Sequence, residues 1–366
     1  MKKIWIISLF TVFFKACSVK KSSGRIDQIP VIPNVIVVDY KSLIKAESSF
    51  IISNQIDSAF IMSSKKETAG YKINPYFNNI SARAILENAD PSTITAVKEW
   101  IAWYLHHINN DGSIYDYYID SVNGKTILAS TGDFDSIDSY AATFFTLLRK
   151  LCEVSAEDAK WLRGYSDSIL KISKALENVI DKDGLTIAKP SYAVKYTMDN
   201  SEVQEGINDL VWLIQNVLNN GDAAYWQQLQ AKNALAIENI LWNTNEQNYF
   251  SSKDSKANWR IFYPDATCQL YPIWCKLIGP ESSKAKNLWN TFNDYYPEWS
   301  SGKIYDAGGY TWTLISYVSA LMNDKSRTDS YLDYVQSFTD KGLQPTENWY
   351  NLEAAFVILA AKKIGQ

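Results

Sequence analysis

The chain has 366 residues, with 36 Lys and Arg against 40 Asp and Glu, a formal net charge of −4, and 46% hydrophobic residues. An acidic chain is a poor partner for nucleic acid, because binding to phosphate backbones depends on basic patches. The only two histidines are adjacent, His106 and His107, which argues against a Ser-His-Asp hydrolase or a His-rich zinc site.

The N-terminal segment has the layout of a bacterial export signal, with two lysines, a short apolar run, and then Ala16 and Cys17. The apolar run is too short to span a bilayer. A small residue directly before a cysteine resembles the lipobox of bacterial lipoproteins, although Lys15 departs from that motif and leaves a plain cleaved signal as the alternative. We therefore expect a signal peptide at 1–16, and a lipidated N-terminus on Cys17 followed by a linker at 17–34. The lipid would anchor the exported protein to a membrane in the periplasm or at the cell surface.

Beyond the linker, residues 35–366 are predicted to form a single domain of helices. Apolar residues recur there at helical spacing, and alternating strand-like patterns are nearly absent. Caps and helix breakers divide this part of the chain into twelve segments. The predicted helices lie at 42–60, 76–88, 91–108, 135–152, 156–180, 200–219, 222–241, 265–278, 281–295, 309–323, 328–340 and 347–363.

Short joints alternate with long ones along this series. Asp90-Pro91-Ser92 and Gly279-Pro280-Glu281 each end one helix and begin the next within a few residues, which makes the two helices antiparallel neighbours. The other joints are rich in Gly, Asn, Asp and aromatic residues, and Asn123-Gly124 within one of them predicts a small β-hairpin. Long loops in a compact domain are usually functional, so we expect the site where they gather.

The helices that follow the long joints are poor in charge, for example INDLVWLIQNVL and LEAAFVILAA. They are predicted to be buried on nearly all sides, whereas their partners carry a polar stripe. Six buried helices alternating with six amphipathic ones describe an all-α (α/α)6 toroid of six helical hairpins, with the long loops at one rim. An open α-solenoid of tetratricopeptide type is the alternative, although its period of roughly 34 residues is shorter and more regular than the period here.

The predicted toroid resembles the six-hairpin glycosidases. The resemblance is most specific at GDFDSIDSY, residues 132–140, where acidic residues enter an apolar helix as they do in that group. It implies an enzyme that acts on carbohydrate with a general acid and a base. It covers the architecture of the whole predicted domain and selects no single enzyme family.

Carboxylates lie at or near the start of several inner helices, and four are our candidates for the acid and the base. Glycosidic cleavage requires one protonated and one ionised carboxyl group, and crowding of buried carboxylates raises their pKa. Helix capping is the alternative explanation for any one of them. The candidate catalytic residues are Asp135, Asp138, Glu202 and Asp265.

Two subsets of these carboxylates have positions that helix capping does not explain. Asp135 and Asp138 lie three residues apart in one predicted helix and would share a face. Glu202 begins an acidic stripe with Glu205 and Asp209 on a helix that is otherwise predicted to be core. We expect Glu202 and Asp138 to face the cavity that the long loops surround, because neither can be solvated from the outer surface. Pairing of the stripe with a basic residue such as Lys195 or Arg260 is the structural alternative.

Aromatic residues are concentrated in the long loops, and their flat faces suit the C–H patches of sugar rings. Many of the 13 Trp and 23 Tyr must instead belong to the core. Asp199 is an acid in the first turn of an inner helix, where it can bind substrate or simply cap the helix. The predicted substrate-binding residues are Tyr192, Asp199, Trp259, Tyr263, Trp312 and Trp349.

Three functions follow from these observations. The first is a glycoside hydrolase acting on an extracytoplasmic poly- or oligosaccharide, the second a non-catalytic glycan-binding surface lipoprotein, and the third a polysaccharide lyase. The sequence holds no phosphate-binding glycine loop, dinucleotide fingerprint or exposed serine elbow, so we expect no cofactor and no metal. We expect a monomer whose partners are carbohydrate and, through the lipid alone, a membrane.

Overall fold

Thirteen α-helices make up most of the chain that the computed structural model describes, residues 37–122 and 125–366. The predicted signal peptide, linker and Cys17 lie outside these residues. In chain order the helices are α1 (Tyr40–Ser53), α2 (Pro75–Ile85), α3 (Pro91–His107), α4 (Asp138–Val154), α5 (Ala156–Arg163), α6 (Ser166–Glu177), α7 (Thr197–Asn216), α8 (Ala223–Ala236), α9 (Tyr271–Trp274), α10 (Ser283–Tyr295), α11 (Leu314–Leu321), α12 (Lys325–Thr339) and α13 (Asn351–Ile364).

Six of these helices form a closed inner ring in the order α2, α4, α7, α9, α11 and α13. Each contacts the next, and α13 contacts α2. The remaining helices wrap the ring, with α5 and α6 together forming one outer element. The predicted all-α toroid of six hairpins is therefore confirmed, and the open solenoid is wrong. Across such a ring α7 and α13 lie on opposite sides.

Close packing between α4 and α7 depends on a glycine. A Cβ atom placed on Gly206 would lie 2.5 Å from the Cα of Ala142, closer than real side chains approach. The two helices are therefore drawn together at this point, and the side chains around it, such as Phe145 and Leu210, are fully buried. None of the helices in the described ranges is long and apolar enough to cross a bilayer.

The helices predicted at 309–323 and 347–363 begin late, at Leu314 and Asn351, and three other predicted helices differ more. The first ends at Ser53, because residues 55–60 turn back as the hairpin β1 (Gln55–Ile56) and β2 (Ala59–Phe60). The fifth is interrupted by Gly164 and Tyr165, between α5 and α6. The helix predicted at 265–278 begins as a π-type turn at Phe262–Ala266, continues as a 3-10 turn and ends as the short α9. Pro264 and Pro272 fall in this stretch, and each removes a backbone donor from a regular helix.

The small amount of sheet lies in the joints. The strands β3 (Tyr71–Ile73), β4 (Tyr117–Val122) and β5 (Lys125–Ser130) form an antiparallel sheet in that order, and β6 (Trp242–Asn243) pairs with β7 (Asn248–Tyr249). The predicted hairpin thus exists as β4 and β5, with Ile119 opposite Leu128. The turn residues 123 and 124 lie between the described ranges.

An ion pair lies within the ring, toward the C-terminal end of α2. Arg83 donates to Glu205 through both guanidinium Nη atoms, at 2.9 and 3.3 Å, and Lys276 Nζ lies 3.2 Å from the same carboxylate. Burial raises the pKa of Glu205, but the charges of Arg83 and Lys276 outweigh it and lower the pKa overall. The acidic stripe is therefore partly structural, although its partners are not the predicted Lys195 and Arg260.

Candidate active site

A cavity of about 720 Å³ opens at the N-terminal ends of the inner helices, within the range of roughly 300–1,000 Å³ common for small-molecule sites. All six inner segments contribute to its wall. The lining residues are Asn74, Tyr76, Phe77, Asp135, Ser136, Ser139, Tyr140, Met198, Asp199, Glu202, Ile261, Phe262, Tyr263, Tyr271, Tyr305, Asp306, Ala307, Gly308, Tyr310, Trp312, Leu352 and Glu353.

The wall of this cavity carries acidic residues and no basic ones among the described residues that line it. Five of the lining residues are carboxylic acids, and none of the described residues that line it is Lys, Arg or His. Since no cation lines this wall, burial disfavours the ionised form of Asp199, Glu202 and Glu353 and raises the pKa of each. The cavity is therefore suited to hold at least one protonated acid. The five acids are Asp135, Asp199, Glu202, Asp306 and Glu353.

Glu202 is the most strongly enclosed of the acids on α7. The hydroxyl of Tyr76 donates a 2.5 Å hydrogen bond to its Oε1, while its Oε2 is buried with no partner among the described residues. Burial raises the pKa of Glu202 to about 8, and the charges of Asp138 and Glu205 act in the same direction. Glu202 therefore carries a proton at neutral pH and has one oxygen free of protein hydrogen bonds.

Asp199 lies one helical turn before Glu202 and also lines the cavity. It makes no capping hydrogen bond, because α7 begins after Tyr196 without a side-chain cap. Its pKa is well above the ordinary value because of burial first, and then because of the charges of Asp138, Glu202 and Asp135. Asp199 is thus a member of the acidic wall, and the capping interpretation is wrong.

Glu353 faces this wall from α13, on the opposite side of the ring. Its Oε2 accepts hydrogen bonds from the backbone N–H of Thr313 at 2.9 Å and from the hydroxyl of Thr311 at 2.7 Å. Burial raises the pKa of Glu353, while these donated hydrogen bonds favour its ionised form. Sequence reasoning did not select Glu353; an acid inside the apolar segment LEAAFVILAA was the signal that could have found it.

An aromatic corner completes the cavity. The ring of Trp312 lies 5.0 Å from that of Tyr263, and its Nε1 donates to Asp306 Oδ2 at 3.1 Å. Trp312 has a φ of +53°, a conformation rare for a bulky side chain and found most often at functional sites. Tyr263 is 51% exposed, so its ring is accessible to a ligand. The structure brings Tyr263 and Trp312 to the site together with Asp135, Asp199 and Glu202.

The other predicted catalytic residues lie behind the wall. Asp138 is fully buried and accepts hydrogen bonds from the hydroxyl of Thr186 at 2.7 Å and from the backbone N–H of Ser139 at 2.9 Å. It holds the joint before α7 against α4 and does not line the cavity, contrary to our expectation. Asp135 precedes α4, so the two acids do not share a helix face. Asp265 accepts from the backbone N–H of Asn258 at 2.9 Å and likewise does not reach the cavity wall.

Three of the predicted substrate-binding aromatic residues do not line the cavity. Trp349 is buried, and its Nε1 donates to Glu47 Oε2 at 3.1 Å, so it belongs to the core between α1 and α13. Trp259 stacks on Tyr295 of the outer helix α10, with centroids 6.1 Å apart. Tyr192 is 48% exposed and pairs through its hydroxyl with another tyrosine of its own loop, so it lies outside the cavity wall.

No protein-family model and no curated protein sequence matches the chain. Solved structures do match it. A wild-type glycosidase aligns with a TM-score of 0.62 and 12% identity, covering 89% of this chain and 97% of that chain. A GH63 mannosylglycerate hydrolase from Thermus thermophilus in complex with glucose aligns with a TM-score of 0.61 and 10% identity, covering 87% and 99%.

A rhamnosidase from Klebsiella oxytoca with rhamnose bound aligns with a TM-score of 0.60 and 11% identity, covering 88% of this chain and 63% of that chain. At these identities the similarity concerns the fold alone. The closed ring of inner helices and these alignments together confirm that the chain has the fold of the six-hairpin glycosidases.

Proposed function

We propose that the chain is a glycoside hydrolase that cleaves a neutral poly- or oligosaccharide by carboxylate acid–base catalysis. The observation that supports this most is the pairing of a protonated Glu202 with Glu353 on the opposite side of an aromatic-lined cavity. One protonated and one ionised carboxyl group on either side of a sugar is the arrangement that glycosidic hydrolysis uses.

In the proposed reaction Glu202 transfers its proton to the glycosidic oxygen as the bond from that oxygen to the anomeric carbon breaks. Glu353 accepts a proton from a water molecule, whose oxygen bonds to the anomeric carbon. The products are two hydroxyl-terminated sugars, and the proton gained by Glu353 returns to Glu202 through solvent.

The charge of the cavity argues against the third candidate function. A polysaccharide lyase acts on a uronate, and a uronate carboxylate would meet five acids and no lining cation. Like charges in a partly buried site repel strongly. We therefore exclude anionic sugars from the proposed substrates, and with them the lyase.

We further propose that the protein acts outside the cytoplasm, anchored through a lipid on Cys17. The support is the export-signal pattern that precedes Cys17. A loss of membrane association in Cys17→Ser, with export retained, is the expected result.

The activity is tested on a panel of neutral disaccharides that contain glucose, mannose or rhamnose, because a glycosidic oxygen needs a proton to leave whereas the fluoride of a glycosyl fluoride does not. Glu202→Gln and Glu353→Gln are each expected to lower turnover by roughly 10² or more, as for loss of a general acid or base. Glu47→Gln is the matched control, because Glu47 is also buried, also accepts one hydrogen bond, and has a pKa of about 7 raised by burial. Glu47 lies on α1 against Trp349 and does not line the cavity. The Glu47→Gln substitution should therefore leave turnover intact.

A wild-type protein that binds these sugars and their oligomers calorimetrically without hydrolysing any of them would contradict the proposal. That result would favour the non-catalytic glycan-binding protein. Hydrolysis that is indifferent to both Glu202→Gln and Glu353→Gln would instead contradict the assignment of the two acids.

A further inference from the structure

A second cavity, of about 430 Å³, lies beside the first. The two cavities share four wall residues, Asn74, Phe77, Asp135 and Tyr310. The two cavities therefore adjoin at these side chains, and Asp135 lies at their junction.

The small sheet builds the part of the second cavity's wall that the first cavity does not share. Lys72 lies on β3, Tyr118 lies on β4, and Thr131 directly follows β5; all three line this cavity and none lines the first. The joints that carry this sheet therefore create the second cavity.

The charged groups of this wall are largely paired with one another. Lys72 Nζ lies 3.2 Å from Asp116 Oδ2, and Lys189 Nζ lies 2.8 Å from Asp133 Oδ1. Asp116 is buried and also accepts from the hydroxyl of Tyr140 at 2.7 Å. Since each lysine already faces a carboxylate, neither is available to neutralise an anionic ligand.

What remains for a ligand is a set of aromatic faces with polar edges. Phe77, Tyr118, Phe134 and Tyr310 line the cavity, and Asp135 at the junction supplies a carboxylate that can accept hydrogen bonds. Such surfaces suit a neutral sugar ring, because the ring stacks on aromatic faces while its hydroxyls bond at the edges.

We propose that the second cavity binds the sugar on the leaving-group side of the bond that is cleaved, so that the substrate contains at least two neutral sugar units. Asp135, which lines both cavities, lies at the junction beside the glycosidic linkage and positions both units through their hydroxyl groups. The assignment to the leaving-group side rests on the proposed hydrolase function, but the binding of a second sugar can be tested without catalysis.

The test compares two kinds of substrate, a glucosyl fluoride and disaccharides, in variants of Tyr118. Glucosyl fluoride has a leaving group too small to reach the second cavity, whereas maltose, cellobiose and trehalose place a second glucose there. Tyr118→Ala is expected to lower kcat/KM at least tenfold on whichever disaccharide is cleaved and to leave glucosyl fluoride hydrolysis unchanged. Tyr118→Phe keeps the stacking ring and is expected to retain most of the activity.

Tyr225→Ala is the matched control. Tyr118 donates its hydroxyl to Glu67 at 2.8 Å and Tyr225 donates to Glu177 at 2.7 Å, but Tyr225 lies on the outer helix α8, away from both cavities. If Tyr118→Ala fails to fold, Thr131→Trp fills the same cavity from an exposed position and should have the same selective effect.

Equal losses on both substrates, or no loss on the disaccharide, would overturn the proposal. If the wild-type protein hydrolyses none of these substrates, the proposed function is wrong. Calorimetric binding of glucose and the disaccharides then tests the second sugar site separately. Tighter binding of a disaccharide than of glucose, abolished by Tyr118→Ala and kept by Tyr225→Ala, would then support a second sugar site. Equal affinity for glucose and every disaccharide would refute it.

Discussion

Replacing Glu202 by glutamine is expected to lower turnover by roughly 10² or more and to stabilise the fold at neutral and alkaline pH. The side chain of Glu202 is 3% exposed, and burial raises its pKa from an ordinary value of 4.5 to about 8. Between these two values the folded protein holds a proton that the unfolded chain releases. Folding stability therefore falls as pH rises from 4.5 to 8, and this contribution is constant above that range.

The magnitude follows from the size of the shift. Each pH unit inside the window costs at most about 1.4 kcal/mol, so the loss between pH 5 and pH 8 amounts to roughly 3 kcal/mol. Glutamine does not ionise, so the Glu202→Gln variant does not lose this folding stability as the pH rises. The glutamine carbonyl can still accept from Tyr76, and its amide can donate to the nearby hydroxyl of Ser139, which is buried without a hydrogen-bond partner among the described residues.

The assay is urea unfolding followed by tryptophan fluorescence at pH 5, 6, 7 and 8. The stability difference between Glu202→Gln and wild type is expected to grow with pH up to about 8. For Glu47→Gln it should level off near pH 7, the value to which burial raises the pKa of Glu47, with turnover retained. A difference for Glu202→Gln that does not change with pH would refute the claim that this acid is buried with its proton.

Further expectations concern other parts of the site and the ring. Glu353→Gln should lose turnover by roughly 10², and the wild-type activity should fall as pH drops through the raised pKa of Glu353, measured as the acid limb of a pH–rate profile; a profile without that limb would exclude Glu353 as the base. Trp312→Ala should raise KM about tenfold, equivalent to about 1.4 kcal/mol, with little change in thermal stability; an unchanged KM would remove Trp312 from the substrate contacts. Arg83→Met leaves buried Glu205 with only the exposed Lys276 and should cost about 3 kcal/mol in urea unfolding; a neutral effect would show that the carboxylate finds solvent. Cys17→Ser should release the protein from the membrane fraction, and its retention there would contradict lipidation.

The helical ring could be predicted from the sequence because its signals are local. Caps such as Asp90 and Ser282 accept the backbone hydrogen bonds that the sequence pattern implies, and low charge distinguishes inner from outer helices. The prediction of helix bounds failed at two places where the backbone leaves regular helical geometry. Pro272 lies inside the helix expected at 265–278, which is instead divided into a 3-10 turn and the short α9. The backbone at Asp57 and Ser58, with φ of 46° and 72°, ended α1 early.

The site was less predictable because it depends on which loop crosses which helix. Asp138 is removed from the cavity by Thr186, a residue 48 positions away, and no helical pattern reveals that contact. Glu353 was overlooked because the last helix was predicted to begin at 347. It begins at Asn351, whose side chain donates to the carbonyl of Ile61 at 2.7 Å. This long-range bond places Glu353 in the first turn, at the cavity.

The closed ring also means that the order of the hairpins along the chain is arbitrary. Gly365, just after α13, packs so closely on Tyr40 that an added Cβ would lie 3.0 Å from that ring, so the two ends of the ring adjoin. A short linker can therefore join them, and new termini can be placed in the exposed joint at residues 219–222, between α7 and α8. Such a circular permutant keeps every inner contact, and with it the same set of cavity walls.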